Sequence, residues 1–446
     1  MRKIRTLVSI FTATALISLT ATGCARNPAS SSTAANTAVS SASTATAASG
    51  GPVNITFFNS KPEIANQLET AVKAFNSANK DGITVTVSNL NTSSTVDAVL
   101  TSKYASGSPY TINMVDAPEI ETYADKAMDL SNEAWVKTIN SKMVDTLKVG
   151  GKIMAFPFAV EGDGLIYNKN TIEKATGKSF DPTQIKSLSD LENLYKQIQA
   201  GGVTPVQISH DDWSLANHFL TTAINTQSDS AAYIKGLKSG SNDIASNETY
   251  QGLLKVFNLN MKYNIYKSSP MSSDYTTTDP TNIATGKVAF WFNGQWTMSN
   301  IKQFLTGSHA KDEFGFLPLF ADSATSKSIS AGVTKAIFVD NTKSTDVQKK
   351  AANKFLNWLV NDPAGQKALV TDMGIIPAFT NITLKPSDDL SKSIANYMSA
   401  GNTIAFNTIS GDFYNKVGAY LQQYLVGKMD SATLSKSIDG YFKSSK

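Results

Sequence analysis

One cysteine and three histidines in 446 residues exclude two kinds of chemistry at the outset. A single thiol, Cys24, cannot close an intrachain disulfide. His210, His218 and His309 show no metal-ligand spacing, so neither a zinc site nor any other cofactor is expected. Charged residues make up only 17% and form no basic block or stripe, which argues against a nucleic-acid surface. Beyond the first 23 residues no apolar run approaches the 18 or so needed for a membrane span. The chain does have 41% hydrophobic residues, enough for globular folding. The 396 residues after position 50 exceed what one hydrophobic core holds and predict two lobes of about 150–250 residues.

The first 23 residues read as an export signal. Arg2, Lys3 and Arg5 precede a mostly apolar run from Thr6 to Leu19, too short to span a bilayer. Ala21-Thr22-Gly23-Cys24 resembles the bacterial lipobox, whose cysteine is acylated and becomes the first mature residue. Two acyl chains, at about 0.8 kcal/mol per buried methylene, hold a protein on a membrane almost irreversibly. Between Ala25 and Gly50, 20 of 26 residues are Ser, Thr or Ala. That stretch cannot offset its ordering entropy and reads as a disordered, lipid-anchored linker over 24–50, spanning about 28 Å. The expected location is the extracellular face of a cell membrane, a single-membrane Gram-positive envelope fitting this tether better than a periplasm. Without the three basic residues before Cys24 the balance is 37 basic to 36 acidic.

From residue 52 the pattern alternates strand and helix. Val53–Asn59 reads as a buried strand, and Leu68, Val72 and Phe75 stripe the helix after it. Ile83–Val87 and Thr111–Val115 read as further strands, with Val96, Val99, Leu100 and Tyr104 marking the helix between them. Strands separated by helices of 10–15 residues predict an α/β fold with mainly parallel sheets covered on both faces. Ligands of such sheets bind beyond the carboxyl ends of the strands, where Asn59, Lys61 and Asp116 fall. Ser189 with Glu192 predicts a capped helix closing at Gly201, and Thr345 with Gln348 predicts another. Val203–Ile208 is a strand that runs into Ser209-His210-Asp211-Asp212-Trp213.

Four stretches resemble the family 1 extracellular solute-binding proteins of sugar ABC transporters, the family that includes maltose-binding protein. They are GGKIMAFPFAVEGDGLIYNKN (150–170), ATGKVAFWFNGQWTMSNI (284–301), EFGFLPLF with ISAGV (313–333), and AANKFLNWLVNDPAGQKALVTDMGIIPAF (351–379). Their order and spacing match the family over nearly the whole chain from residue 52. The resemblance implies a two-lobe periplasmic-binding-protein-like fold of type II. One lobe would comprise residues 51–159 plus 330–379, the other 160–329 plus 380–446. About three crossings would join them, near Phe158–Glu161, Phe320–Ser330 and Pro377–Thr380. It also implies a non-enzymatic receptor, monomeric, that traps a mono- or oligosaccharide between the lobes and hands it to membrane permease subunits.

A sugar site needs flat aromatic faces for C–H groups and charged or amide partners for hydroxyls. The resemblance places Trp296 at a stacking position in Asn-Gly-x-Trp, with Trp291 and Asn293 nearby, and Glu161 at a ligand-binding carboxylate. Asp212 and Trp213 lie where the family supplies an acid and an aromatic, and Phe413 and Tyr414 open a late helix that carries another aromatic. Lys61, Asn59 and Asp116 complete the candidates. Trp291, inside an apolar strand, reads as core as readily as ligand. Asp116 reads nearly as well as a helix cap, and Asp163 as relief of a Gly-Asp-Gly turn. Two rival functions stand. One keeps the fold but carries a polyamine or another small solute. The other is a secreted glycoside hydrolase, which needs two carboxyl groups about 5–5.5 Å or 6.5–9.5 Å apart around one bond. The adjacent Asp211 and Asp212 do not make such a pair.

Overall fold

A computed structural model describes residues 51–91, 94–409 and 411–445. The export signal, Cys24 and the linker lie outside these residues.

The chain lays down β1 (Val53–Asn59), β2 (Ile83–Asn89), β3 (Ile112–Asp116), the hairpin β4 (Lys148–Val149) and β5 (Lys152–Ile153), and the long β6 (Phe156–Asn168). There follow β7 (Thr204–Gln207), β8 (Val288–Gly294), β9 (Phe314–Leu317), β10 (Ile329–Val339) and β11 (Thr403–Ile404). Apart from the β4–β5 hairpin they form one sheet in the order β2-β1-β3-β10-β6-β8-β7, with β11 on β10 and β9 on β6. Pairing is parallel where helices connect neighbours, in β1 with β2 and β3 and in β7 with β8. It is antiparallel where the long strands β6 and β10 run through the middle.

Two hydrophobic cores flank this sheet. The first gathers Phe57, Leu68, Met114, Phe156, Ile337 and Phe355, and the second gathers Leu194, Phe219, Phe257, Phe290, Val417 and Leu434. Along β6 and β8 alternate side chains point to opposite faces, so Ile166 and Trp291 join the first core while Leu165, Phe290 and Phe292 join the second.

Local chemistry explains the elements. Helix Ala65–Ala78 buries Leu68, Val72 and Phe75 as its stripe predicts, and Phe75 packs edge-on against Phe355 at 5.1 Å. Helix Val96–Ala105 buries only Leu100 of its four expected positions. Thr345 and Gln348 form the expected reciprocal cap. The other expected cap is displaced by two residues. Ser187 caps helix Leu188–Ala200 through the Asp190 N–H, and the Asp190 carboxylate accepts from the Lys186 N–H and Ser187 hydroxyl. Aspartate in this position does the reciprocal work expected of Glu192. Gly201 has an ordinary φ of −79°, and Gly202 takes the left-handed conformation instead.

Near the expected crossings, β6 pairs with β10 on one side and with β8 and β9 on the other. Phe379 packs against Trp135 and Phe156, and helix Asp389–Ser399 adds Leu390 and Ile394 to the first core. Side chains of the second core resume at Phe413.

Candidate functional site

The carboxyl ends of β1, β3, β7 and β8 converge on a cavity of about 480 Å³. From β1 the chain turns at Asn59, whose side chain accepts from the Lys61 N–H and donates to the Lys61 carbonyl, both at 2.9 Å. This turn presents Lys61 to the cavity wall. Asn59 itself is fully buried and also bonds Asn89, so it shapes the wall rather than lining it.

Lys61 is 2% exposed, and its ammonium meets Glu161 of β6 at 2.5 Å and Glu63 at 2.6 Å. Burial works against its charge, but the two carboxylates outweigh burial and raise its pKa. Thr334 of β10 donates to the other oxygen of Glu161. At the end of β3, Asp116 pairs with Lys335, its cross-strand partner on β10.

The opposite wall is aromatic. Trp296 follows Gly294 at the end of β8, and its indole lies over that glycine so closely that a Cβ there would stand 1.9 Å from the ring. That approach is the physical reason for glycine before x-Trp. Trp213 stands 6.4 Å from Trp296 between ring centres and 5.1 Å from Tyr275. The His218 ring is wedged among Trp213, Trp296 and Phe406, 5.0 Å from each. His218 sits on a π-helical stretch, Ser214–Leu220, of the kind that recurs at functional sites. Tyr414 also lines the cavity.

Asp211 and Asp212 border the aromatics. Burial, then the neighbouring Asp279, pushes Asp211 up to about 7. Burial also raises Asp212, against a hydrogen bond from the Trp213 N–H at 2.8 Å. No basic side chain pairs with either among the ion pairs of the described residues.

Seven of the eleven residues expected from the sequence meet around this cavity: Lys61, Asp116, Glu161, Asp212, Trp213, Trp296 and Tyr414. Four do not line it. Besides Asn59, Trp291 is fully buried in the first core, donating its indole N–H to Ser209 at 2.8 Å. Asn293 is fully buried on β8, its oxygen accepting from the Gly294 N–H at 2.9 Å. Phe413 turns inward against Tyr441 and Phe442. One residue along a helix is a rotation of about 100°, which is why Tyr414 faces the cavity while Phe413 does not. The cavity also holds Tyr275, Phe406, His218 and Lys335, which the sequence reading missed. Tyr275 and Phe406 had a usable signal, a lone large aromatic in a polar loop, as at Trp213. Lys335 had none, because only the register of β10 on β3 brings it to Asp116.

A model of the bacterial extracellular solute-binding protein family matches residues 70–397, and the chain belongs to that family. A maltotriose-binding protein of Pyrococcus abyssi is 24% identical over 247 residues, covering 54% of this chain and 48% of the relative, so the match spans about half the relative's length. Among solved structures, the RafE binding protein in complex with raffinose superposes with a TM-score of 0.69 at 20% identity, covering 88% of this chain and 99% of that one. A sugar transporter protein of Bacillus licheniformis in complex with stachyose gives 0.67 at 18% identity, covering 88% and 99%. A chitin oligosaccharide binding protein gives 0.69 at 17% identity, covering 88% and 98%. These likenesses establish the type II solute-binding fold, with a mixed α/β sheet flanked by helices. Members of the family are binding proteins, and the family is extracellular.

Proposed function

We propose that the protein is a carbohydrate receptor that captures an oligosaccharide in the 480 Å³ cavity and delivers it to the permease of an ABC importer. The observation that carries this reading is that Trp296, Trp213, Tyr275 and Tyr414 line one cavity together with Glu161, Asp116 and Asp212. Flat rings receive the C–H faces of a pyranose at little cost in side-chain entropy. Carboxylates give the stronger, charge-assisted bonds to hydroxyls. A ligand of micromolar affinity needs about 8 kcal/mol net, within reach of several such contacts. The likeness to a maltotriose-binding protein and to binding proteins solved with raffinose or stachyose supports the class.

In this reading residues 51–159 plus 330–379 form one lobe and 160–329 plus 380–446 the other, and closure around the strand crossings buries the ligand. The ligand set is Lys61, Asp116, Glu161, Asp212, Trp213, Trp296 and Tyr414, with Tyr275, Phe406 and His218 added. Two carboxylates of the cavity are tied in ion pairs, Glu161 to Lys61 and Asp116 to Lys335, which supports binding without bond cleavage. Lipidation at Cys24 would tether the monomeric receptor to the outer face of the membrane.

Calorimetric titration with maltotriose, raffinose and triacetylchitotriose tests the reading. Trp296→Ala is expected to weaken the tightest of them at least tenfold. An unchanged affinity would remove the site, and release of smaller sugars on incubation would turn the receptor into a hydrolase.

A further inference from the structure

Asp163 is 1% exposed, and neither of its carboxyl oxygens meets a partner at hydrogen-bonding geometry, although the Ser330 side chain lies near enough to act on its charge. It faces the Nδ1 of His218 at 4.0 Å, and that nitrogen also lacks a partner. Buried polar groups are nearly always hydrogen-bonded, so two orphaned ones facing each other need an explanation. Their places in the fold supply one. Asp163 lies on β6 between Ser330 of β10 and Gly294 of β8, the glycine beneath Trp296. His218 lines the cavity among three aromatic rings. With Nδ1 turned inward to Asp163, Nε2 is the ring nitrogen left for a ligand.

We propose that Asp163 is the positioning residue that fixes the tautomer of His218, so that His218 offers its Nε2 hydrogen to a hydroxyl of the bound carbohydrate. The inference rests on the carbohydrate reading of the cavity. Burial pushes Asp163 up to about 8, the nearby Ser330 acting against it, and burial pushes His218 down to about 3. Asp116 raises His218, while Lys335 and Lys61 lower it. At neutral pH the acid therefore keeps its proton and the imidazole carries one hydrogen. An acid donating to Nδ1 leaves that hydrogen on Nε2.

The 4.0 Å gap must shorten by about 1 Å, as contacts that are loose without ligand commonly do once it binds. Among the charged groups of the lining, Glu161, Asp116 and Asp212 accept, and the ammoniums of Lys61 and Lys335 already serve carboxylates, so an Nε2 hydrogen would add a neutral donor on the aromatic side of the cavity. Above pH 8 the ionised Asp163 would draw the hydrogen to Nδ1 and turn Nε2 into an acceptor.

Nitrogen-15 NMR of histidine-labelled protein, bound to whichever of maltotriose, raffinose or triacetylchitotriose binds tightest, tests the pair directly. His218 should show the Nε2–H tautomer. Asp163→Asn, whose amide can also donate to Nδ1, should keep the tautomer, bind within threefold of wild type at pH 7 and hold that affinity to pH 9. Asp163→Ala should mix the tautomers and bind at least tenfold more weakly, and wild type alone should lose affinity between pH 7 and 9. An Nδ1–H tautomer in the wild-type complex would overturn the inference. So would wild-type affinity in Asp163→Ala with the cavity otherwise intact. If Asp163→Ala does not fold, the tautomer and the pH profile of Asp163→Asn decide. If none of the three sugars binds, the carbohydrate reading fails and takes the role of Nε2 with it. The tautomer of the free protein then reports separately on the Asp163–His218 contact.

Discussion

Gly294→Ala is a small change whose consequence can be worked out from the structure. The backbone there is extended, with φ −107° and ψ 171°, so alanine fits the main chain without strain. Its Cβ, however, would stand 1.9 Å from Cζ3, 2.1 Å from Cη2 and 2.3 Å from Cε3 of Trp296. Carbon atoms pack at about 3.5 Å, so the indole must retreat by about 1.5 Å. Little room exists for that, with Phe406 stacked 6.2 Å from Trp296 and His218 at 5.0 Å. Overpacking of this kind costs about 1–3 kcal/mol. Because the displaced ring is itself the proposed sugar platform, much of the cost should appear in binding, where about 1.4 kcal/mol is tenfold. Calorimetry with the tightest sugar is expected to show a loss of roughly tenfold to hundredfold, with indole fluorescence altered in the free protein. Trp296→Leu removes the ring that clashes, so adding Gly294→Ala to it should cost almost nothing further, a non-additivity that isolates the contact. If Gly294→Ala binds within twofold of wild type, the indole does not form the platform and the argument fails.

Three further outcomes follow from buried polar groups. Lys61→Met leaves Glu161 and Glu63 without their cation and should cost about 3–5 kcal/mol of stability, read from denaturant unfolding. A cost below 1 kcal/mol would mean the ion pairs contribute no net stability. For Asp163, an unfolded carboxyl releases its proton near 3.8 and the native one only near 8. The native state therefore binds the extra proton between those values, and stability falls as pH rises through that window. Asp163→Asn should flatten the dependence and raise Tm at pH 8 relative to wild type; identical pH profiles for the two would contradict it. Trp291→Phe loses the indole bond to Ser209 and should destabilise by about 1–3 kcal/mol without changing sugar affinity, whereas an altered affinity would restore Trp291 to the site.

Periodicity and local chemistry alone determined much of this protein. The stripe of Leu68, Val72 and Phe75, the Thr345–Gln348 cap and the alternation of short apolar strands with helices are short-range patterns, and such patterns dictate the α/β class. Family resemblance singled out the Asn-Gly-x-Trp motif, and the structure supplied its reason, since only glycine tolerates an indole laid on it. Tertiary structure decided the rest, because burial and long-range register are not local properties. Trp291 and Trp296 stand five residues apart in one motif, yet one is sealed in a core by its strand face and the other is released by the turn after the strand. Lys335 reaches Asp116, and Asp163 reaches His218, only through strand pairing and packing between segments far apart in the chain. Side-chain identity named the groups able to hold a sugar, and the folded sheet selected which of them share a cavity.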